Sequence, residues 1–386
     1  MEPSLDLRLK MRTPSIILFS LFFLAFALSI SAQSQKNVRV AIIQDAFSLR
    51  LKINGFYEVV DSATNQVLNR GRNLNTTVAA YQGGILLGVL QSNTNKLFVK
   101  PASPEAVIVE GRRFRGSIQF IKKNNGKILA INHIELEDYI KGILYNEVSH
   151  FWPIEALKAQ AIVSRTYAVY QCEVNKARDF DVTNDIYSQV YGGRTSERYR
   201  TNKAVQYTAG EVITYQDKPI PAYFHATCAG HTEDASVLWN INLAPLKGVA
   251  CNFCQDSPHF NWYDVLLLND IKDKLVKAGY KIKDIKDIIV LDRTDSGRVK
   301  DLDFVSSEKT LKLSAKDFRN LIGPNIIRST NFNISVVEND AVIEGMGWGH
   351  GVGLCQWGAY FMSKEGSSCE EILQYYYPGI KISRLY

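Results

Sequence analysis

A glycine-rich stretch near the C-terminus combines backbone freedom with side chains that can bind a ligand. It runs Gly345-Met-Gly-Trp-Gly-His-Gly-Val-Gly-Leu-Cys-Gln-Trp-Gly-Ala359, so glycines alternate around His350 and a Gln356-Trp357 pair follows. Glycine lets main-chain groups approach a ligand and permits positive φ. An amide, an imidazole and a flat indole would supply hydrogen bonds and an apolar surface, which are the parts of a sugar-binding wall. The alternatives are a tight loop packed on the core and a phosphate loop, and no Lys-Ser/Thr pair follows the glycines to support the second.

A lone carboxylate lies in an apolar and aromatic setting in the middle of the chain. Glu147 stands among Tyr145, Val148, Phe151 and Trp152. Such neighbours disfavour the ionised form, so we expect the pKa of Glu147 to be raised. A carboxyl group that stays protonated near neutral pH can serve as a general acid. Glu147 is therefore a candidate catalytic residue.

A helix is predicted directly after this carboxylate. Pro153 is well tolerated in a first helical turn, and apolar residues then recur at helical spacing: Ile154, Leu157, Ala161 and Ala168. One face of the helix should therefore pack inward. Lys158 and Arg165 are seven residues apart, about two turns, so they share one stripe. They form either a basic binding stripe or an ordinary solvated face.

Several stretches together resemble the stage II sporulation protein D family, whose domain also occurs in amidase enhancers of bacterial cell walls. The resemblance runs from about residue 112 to the C-terminus, in matching order and spacing. The stretches that carry it are 136–147, 155–161, 188–193, 223–225, 296–299, 317–319, 345–359 and 371–379.

The resemblance implies a lytic transglycosylase that acts on the glycan strands of peptidoglycan. The essential glutamate of the family falls on Glu147, and its basic substrate-contacting residues fall on Lys158 and Arg165. In such an enzyme the C6 hydroxyl of the substrate is the nucleophile, so one carboxyl group suffices where an ordinary glycosidase needs two. The product would end in 1,6-anhydromuramic acid. Cys355 replaces the serine that commonly precedes the Gln-Trp pair in the family, a change that leaves the reaction type intact.

Further side chains are predicted to line the glycan-binding groove. His225 follows Tyr223-Phe224 in a motif that matches the family, so we assign it to the groove. The full set of predicted substrate-binding residues is Lys158, Arg165, Gln189, Tyr191, Tyr223, His225, His350, Gln356 and Trp357.

A dense group of cysteines and histidines predicts a structural zinc site. Cys228 and His231 form one closely spaced pair and Cys251 and Cys254 another, the arrangement from which tetrahedral zinc sites are built. The family resemblance adds only the possibility of zinc in this region. A disulfide is the main alternative because an exported chain meets oxidising conditions. Cys172, Cys355 and Cys369 lack paired spacing and are expected to be buried small residues.

The N-terminus has the order of a secretory signal. Arg8, Lys10 and Arg12 precede an apolar run from Ile16 to Ile30, and small residues follow it. The run is about 15 residues, short for a membrane span, so a cleaved signal over residues 1–32 is favoured over an uncleaved anchor. We expect an exported protein of the periplasm or cell wall that meets the membrane only through this segment.

The remaining chain predicts an α+β fold with two parts. Short apolar or alternating runs separated by Asn, Gly and Ser turns indicate a small, mostly β domain over residues 33–110. Residues 111–386 would form the catalytic domain with its glycan-binding groove, in which strands and helices interleave without a regular βαβ rhythm. Residues 269–279 and 317–322 are predicted to form short helices.

Composition is compatible with a wall enzyme and excludes little. The 386 residues carry a net charge of +6 with no basic run that would indicate nucleic-acid binding. Besides the transglycosylase, a non-catalytic wall-binding protein that activates a separate amidase is a second hypothesis; it needs the groove but not an ionisable Glu147. A zinc hydrolase is a poorer third because the chain has no H-E-x-x-H motif.

Overall fold

The computed structural model describes Met1 and residues 36–104, 107–185 and 188–386. From residue 36 onward, the described residues form one compact unit. The predicted signal peptide lies outside the described residues except for Met1. Within the described residues, no helix combines the length and apolar character needed to cross a membrane.

A large, mainly antiparallel sheet occupies the N-terminal part of the described chain. Its first ten strands are β1 (Asn37–Ala46), β2 (Ser48–Asp61), β3 (Val67–Tyr81), β4 (Gly84–Leu87), β5 (Leu90–Ser92), β6 (Lys96–Pro101), β7 (Val107–Val109), β8 (Arg112–Phe114), β9 (Ser117–Lys122) and β10 (Ile128–Glu135). An eleventh strand, β11 (Val182–Thr183), pairs in parallel with β1. The strand order is β11-β1-β10-β9-β6-β2-β3-β4-β5, with β7 pairing with β2 and β8.

Alternating side chains explain why this segment is a sheet with one buried face. In β2, Leu49, Leu51 and Ile53 are buried while Arg50 and Lys52 are exposed, as the two-residue period of a strand requires. The predicted domain boundary after residue 110 falls in the hairpin between β7 and β8, and the sheet continues through β10. The two predicted parts therefore share one sheet.

A mainly helical region with three short strands follows the sheet. Its elements are α1 (Leu136–Glu147), α2 (Ile154–Val174), α3 (Tyr199–Tyr207), β12 (Glu211–Tyr215), β13 (Lys218–Pro219), β14 (Phe224–His225) and α4 (Ala235–Trp239). In α2, Leu157 and Ala161 pack in the core shared with the sheet. Ile162 and Val163 pack in a second core with the C-terminal helices. The predicted one-sided burial of this helix is therefore wrong, because α2 lies between two cores and is buried on nearly all sides.

A third core belongs to a segment inserted before the C-terminal helices. It contains β15 (Asn261–Leu267), α5 (Leu268–Lys277), β16 (Asp287–Arg293), β17 (Val299–Val305), β18 (Thr310–Ser314), α6 (Ala315–Ile322), β19 (Phe332–Val337) and β20 (Asp340–Met346). The strands form two three-stranded sheets, β15-β20-β19 and β16-β17-β18. The helices α5 and α6 confirm the two short helices predicted for this region.

The chain then returns to the second core. It forms β21 (Leu354–Cys355), α7 (Gln356–Lys364), α8 (Cys369–Tyr376) and β22 (Lys381–Arg384). The pair β14 and β21 is parallel, with Phe224 opposite Leu354 and His225 opposite Cys355. Strands comprise 39% of the described residues and helices 26%, with the N-terminal region mostly β. The predicted α+β class is confirmed.

Candidate active site

Glu147 is the last residue of α1, where the chain leaves the helix. The backbone N–H of Val190 donates to Glu147 Oε1 at 2.9 Å. Burial raises the pKa of Glu147 from 4.5 to about 7, against the opposing effect of that hydrogen bond. The residue still keeps partial solvent exposure. The carboxyl group is therefore protonated in a large fraction of molecules at neutral pH. This agrees with the raised pKa that the sequence predicts.

Two tyrosines lie beside this carboxyl group. Burial, with a smaller contribution from the charge of Glu147, raises the pKa of Tyr167 to about 12. Burial likewise raises the pKa of Tyr139, whose hydroxyl donates to Gln189 Oε1 at 3.0 Å. Both phenols are therefore neutral hydrogen-bond donors at physiological pH.

Gln189 and Tyr191 flank Val190 and hold its loop in place. Gln189 Nε2 donates to the backbone oxygen of Ser164 at 3.3 Å. Tyr191 donates from its hydroxyl to Asn132 Oδ1 at 2.7 Å. Both residues are 1% exposed, so they support the loop and do not face solvent. The predicted direct contact with substrate is thus replaced by a positioning role, because burial leaves no surface for a glycan.

Gln356 joins the glycine-rich block to the end of α1. Its Nε2 donates to the backbone oxygen of Glu147 and to Gln160 Oε1, both at 3.4 Å. Gln160 in turn donates to Ser164 Oγ at 3.1 Å. The glycine-rich block and the Glu147 region, both of which contain predicted site residues, therefore meet in the structure.

Trp357, Trp152 and Tyr360 form an aromatic wall next to this contact. The ring centroid of Trp357 lies 5.2 Å from that of Trp152 and 5.2 Å from that of Tyr360. All three residues are partly exposed. Offset and edge-to-face aromatic pairs at this separation are stabilising, and partly exposed rings offer flat apolar surfaces to a ligand. Phe151, the neighbour of Trp152, is 79% exposed.

A second aromatic group surrounds His350. Tyr223 stacks on Trp239 with ring centroids 4.3 Å apart, and His350 approaches Trp239 at 5.0 Å. Tyr167, which lies beside Glu147, is 6.0 Å from Tyr223. The predicted residues Tyr223 and His350 are thus connected to the site of Glu147 through Tyr167.

His225 and His350 are neutral at physiological pH. Burial, with the nearby charge of Arg298, lowers the pKa of His225 to about 3, and burial lowers that of His350 well below its usual value. The backbone N–H of Val352 donates to His350 Nδ1 at 3.0 Å. His225 Nδ1 lies 3.1 Å from the Val352 oxygen, and its buried Nε2 has no partner among the described residues. Neither imidazole is in a state to act as a cationic acid.

Lys158 and Arg165 lie on the side of α2 away from Gln160. At about 100° per residue, Lys158 and Gln160 point about 200° apart. Lys158 Nζ contacts Glu155 Oε1 at 2.7 Å. Arg165 is 0% exposed and makes two hydrogen bonds to the Glu137 carboxylate, at 2.8 and 2.7 Å. The shared stripe was predicted correctly, but the structure gives Arg165 a buried ion pair in place of the predicted substrate contact.

Four cysteines come together, one of them within the glycine-rich block. Their sulfur atoms lie within 4.8 Å of one another and belong to Cys228, Cys251, Cys254 and Cys355. His231 is not among them, because its Nδ1 contacts the backbone oxygen of Thr232 at 2.6 Å. The predicted ligand set is therefore corrected: Cys355 takes the place of His231. All six cysteines of the chain are free thiols in the structure, so the disulfide alternative is not what the structure contains.

The chemistry of this cluster fits zinc. Four thiolates form a closed structural zinc site with Zn–S distances of about 2.3 Å, which places tetrahedral sulfurs about 3.8 Å apart. Cys228 Sγ and Cys254 Sγ lie 3.5 Å apart, and the four residues are buried. The backbone N–H groups of Cys228 and Gly358 donate to Cys355 Sγ at 3.3 and 3.4 Å. Such donors favour the thiolate form that a metal requires.

Arg298 brings a positive charge to the same place. It is 1% exposed, and its Nη2 donates to the backbone oxygen of Cys228 at 3.0 Å. A zinc ion held by four thiolates would carry a net charge of −2, and the buried guanidinium would offset part of that charge. The residue comes from the inserted segment and was not predicted from the sequence.

Other residues at the site were also missed by the sequence-based prediction. Gln160, Ser164 and Tyr167 line the side of α2 that faces the Glu147 loop and Gln356. Their spacing of four and three residues is the signal that could have identified them, since such residues share one helix face.

Comparisons with known proteins agree with the motifs. Residues 124–215 match the family model described as stage II sporulation protein. Residues 246–353, which include the inserted strands, match a domain of unknown function.

Three relatives show how far the similarity extends. An uncharacterised protein of Brachyspira hyodysenteriae is 34% identical over 361 residues, covering 90% of this chain and 93% of the relative. The stage II sporulation protein D of Bacillus subtilis is 30% identical over 310 residues, covering 76% of this chain and 86% of the relative. The amidase enhancer of Bacillus subtilis is 27% identical over 353 residues, covering 78% of this chain and 49% of the relative.

Proposed function

Because the chain belongs to the stage II sporulation protein D family, we propose that it is an exported lytic transglycosylase that cleaves the glycan strands of peptidoglycan. The observation that carries the proposal is the carboxyl group of Glu147, whose pKa of about 7 suits a general acid at neutral pH. The residue that precedes Trp357 contacts the Glu147 backbone, so partly exposed aromatic rings, among them Trp152 and Trp357, lie near the proposed acid.

The surroundings of Glu147 favour a reaction that uses a single carboxyl group. Burial and the Val190 hydrogen bond account for its pKa, and no second carboxylate among the described residues contributes to it. A retaining glycosidase instead places two carboxyl groups about 5 Å apart. An internal nucleophile removes the need for the second group, because the C6 hydroxyl of the bound muramic residue is already held next to the anomeric carbon.

In the proposed mechanism, protonated Glu147 donates its proton to the glycosidic oxygen as the bond to C1 breaks. The Val190 N–H holds Oε1 and becomes a stronger, charge-assisted hydrogen bond as the carboxylate forms. The carboxylate then accepts the proton of the C6 hydroxyl as that oxygen bonds to C1. Glu147 ends protonated again, and the product carries a 1,6-anhydro ring without consuming water.

Export and a structural metal with the corrected ligand set belong to the same proposal. Residues 1–32 would export the chain to the periplasm or wall. Cys228, Cys251, Cys254 and Cys355 would hold a structural zinc ion, which supplies folding energy and no chemistry at Glu147. Tyr223, His225 and His350 would support or line the groove.

Mass spectrometry of digested wall glycan tests the proposal. Products should end in 1,6-anhydromuramic acid and weigh one water less than hydrolysed ends. Glu147→Gln keeps the shape of the side chain but has no proton to donate, so turnover should fall at least about 100-fold. Products with reducing ends alone would refute the transglycosylase mechanism, and wild-type turnover by Glu147→Gln would refute the role of Glu147.

The similarity to an amidase enhancer supports a second candidate function. In that case the groove binds the wall and the chain stimulates a separate amidase without cleaving glycan itself. Glu147→Gln would then keep full stimulation of the amidase, and neither the wild type nor the variant would release anhydro products.

A further inference from the structure

A cavity of about 610 Å³ lies on the sheet β15-β20-β19, in the inserted segment, and the proposed mechanism does not use it. Its walls carry Asn261, Tyr263, Asn331, Asn333 and Glu344. The three strands explain why these side chains gather on one face. Tyr263 pairs with Glu344 and Glu344 with Asn333, so the three stand in one row across the sheet, and directly opposed residues lie about 5 Å apart.

The next row of the sheet points its side chains to the opposite face, where they pack in the core, and contributes its backbone to the floor of the cavity. Trp262, Gly345 and Phe332 are paired across the three strands and are buried. A Cβ atom on Gly345 would lie 2.0 Å from Cζ2 of Trp262, so only glycine lets the indole lie against the central strand. The indole Nε1 is buried and has no partner among the described residues. The indole lies on the core side of the sheet, so the polar groups that face the cavity are those of the row of Tyr263.

Most of the polar groups around the cavity are free to bind a ligand. Within the described part of the chain, the side chains of Asn261, Tyr263, Asn331 and Glu344 make no hydrogen bonds. Asn333 Oδ1 accepts a hydrogen bond from Arg293 Nη2 at 2.8 Å, which leaves its amide NH2 group unused. Tyr263 is 61% exposed and presents its ring to solvent. The ring and the unused amides are therefore accessible to a ligand at the same place.

This combination of groups matches the chemistry of a saccharide. Amide side chains both donate and accept, and a carboxylate accepts, so together they can bind hydroxyl and acetamido groups. The tyrosine ring offers a flat apolar surface to the C–H face of a sugar ring. The cavity holds no excess of positive side chains, so a nucleic acid or another phosphate polymer is a poorer match.

A row of rings lies between the cavity and the aromatic wall near Glu147. His259 lies two residues before Asn261, and its ring centroid is 4.7 Å from that of Trp348. The ring of His259 is 6.2 Å from that of Trp357, which belongs to the wall. Arg328 stacks over Trp348 at 5.2 Å. A row of rings therefore connects the cavity with the place where cleavage is proposed.

We propose that this cavity is a remote glycan subsite, which binds a saccharide unit of the strand several units away from the bond that Glu147 breaks. The inference rests on the proposed function for its substrate class. It adds a consequence that the proposed function lacks: affinity should grow with glycan length, because only a long strand reaches both the aromatic wall and the row of Tyr263.

Binding of defined saccharides to a cleavage-deficient protein tests the subsite. In the Glu147→Gln background, isothermal titration would measure affinity for peptide-stripped glycan strands and for the disaccharide of N-acetylglucosamine. Tyr263→Ala should weaken binding of long strands at least about fivefold and leave the disaccharide unaffected. Val265→Ala is the matched control, since Val265 is the next exposed residue on the same strand face and lies outside the cavity.

The outcomes separate this inference from the proposed function. Long strands that bind Tyr263→Ala and Val265→Ala equally would overturn the subsite but not the transglycosylase. Failure of the Glu147→Gln protein to bind any glycan would overturn both. If Tyr263→Ala keeps glycan affinity but loses stimulation of an amidase, the cavity is a protein-docking surface and the subsite is refuted.

Discussion

Replacing Glu147 by glutamine should stabilise the protein in a pH-dependent way. The pKa of Glu147 is about 7 in the folded protein against an ordinary value of 4.5. At 1.36 kcal/mol per pH unit, that difference corresponds to about 3 kcal/mol. Below pH 4.5 the group is protonated in both the folded and the unfolded chain and has no effect. As pH rises from 4.5 to 7 the unfolded chain loses this proton first, so the folded state loses about 3 kcal/mol of stability by pH 8.

Urea unfolding of the wild type and Glu147→Gln between pH 4 and pH 8 would measure this effect. The amide can still accept the Val190 hydrogen bond and carries no charge at any pH. The two proteins should therefore be equally stable at pH 4, and the variant should be about 3 kcal/mol more stable at pH 8. Glu344→Gln is the control, because Glu344 is exposed on β20 and should show little difference at either pH. A stability difference that does not change with pH would refute the buried, protonated state of Glu147.

Two further predictions concern the cations and the reaction itself. Cleavage of peptide-stripped glycan should fall about tenfold between pH 6 and pH 8 as Glu147 loses its proton, and a pH–rate profile that inflects near pH 4.5 would contradict the raised pKa. Arg165→Met should destabilise the fold by about 3 kcal/mol in thermal unfolding, because the partly buried Glu137 carboxylate loses its ion-pair partner and keeps only the hydrogen bonds from Gly210 and Tyr386. Lys158→Met should cost about 1 kcal/mol or less. A stable Arg165→Met protein that has lost only glycan affinity would restore the substrate-contacting role predicted from the sequence.

The sequence identified Glu147 and the glycine-rich block as candidate site residues because both signals are local. Glu147 stands among aromatic residues within a few positions of it, and the glycine-rich block has no ordinary helical or strand pattern. Such features can be recognised in a sequence without knowledge of tertiary contacts. The raised pKa and the contact of Gln356 with the Glu147 backbone agree with that reading.

The errors arose where long-range contacts decide a residue's role. Seven-residue spacing correctly placed Lys158 and Arg165 on one stripe, but spacing cannot say which stripe faces the groove. The partner of Arg165 is Glu137, 28 residues away, and α2 is buried between two cores. Gln189 and Tyr191 were predicted to touch substrate for the same reason: their family motif identifies the loop but not which of its side chains point inward.

Cys355 was missed because its partners are about 100 residues or more away in the chain. The parallel pairing of β14 with β21 sets His225 opposite Cys355 and so brings that cysteine to Cys228. Pair spacing within one segment favoured His231 in its place. Nothing in the local sequence distinguishes Cys355 from a buried small residue.

The position of Cys355 predicts how loss of the metal would act on the enzyme. Cys355 and Gln356 are consecutive, so the cysteine cluster and the contact with the Glu147 backbone share one short piece of chain. Cys355→Ser should therefore lower the zinc content from about one per chain, lower the melting temperature, and weaken glycan cleavage by loosening the aromatic wall. Cys369→Ser is the control, since Cys369 is buried but lies outside the cluster.

The same variant should leave the pH dependence of cleavage unchanged. The pKa of Glu147 is set by burial and by Val190, and neither the loop of Val190 nor α1 belongs to the cysteine cluster. Metal analysis of the purified protein, with the pH–rate profile of its remaining activity, would check both expectations. Zinc that survives Cys355→Ser but is lost in His231→Ala would reinstate the ligand set predicted from the sequence. A profile that moves away from pH 7 in Cys355→Ser would show that the cluster controls the acid itself, and the separation of a structural metal from a catalytic carboxyl group would have to be abandoned.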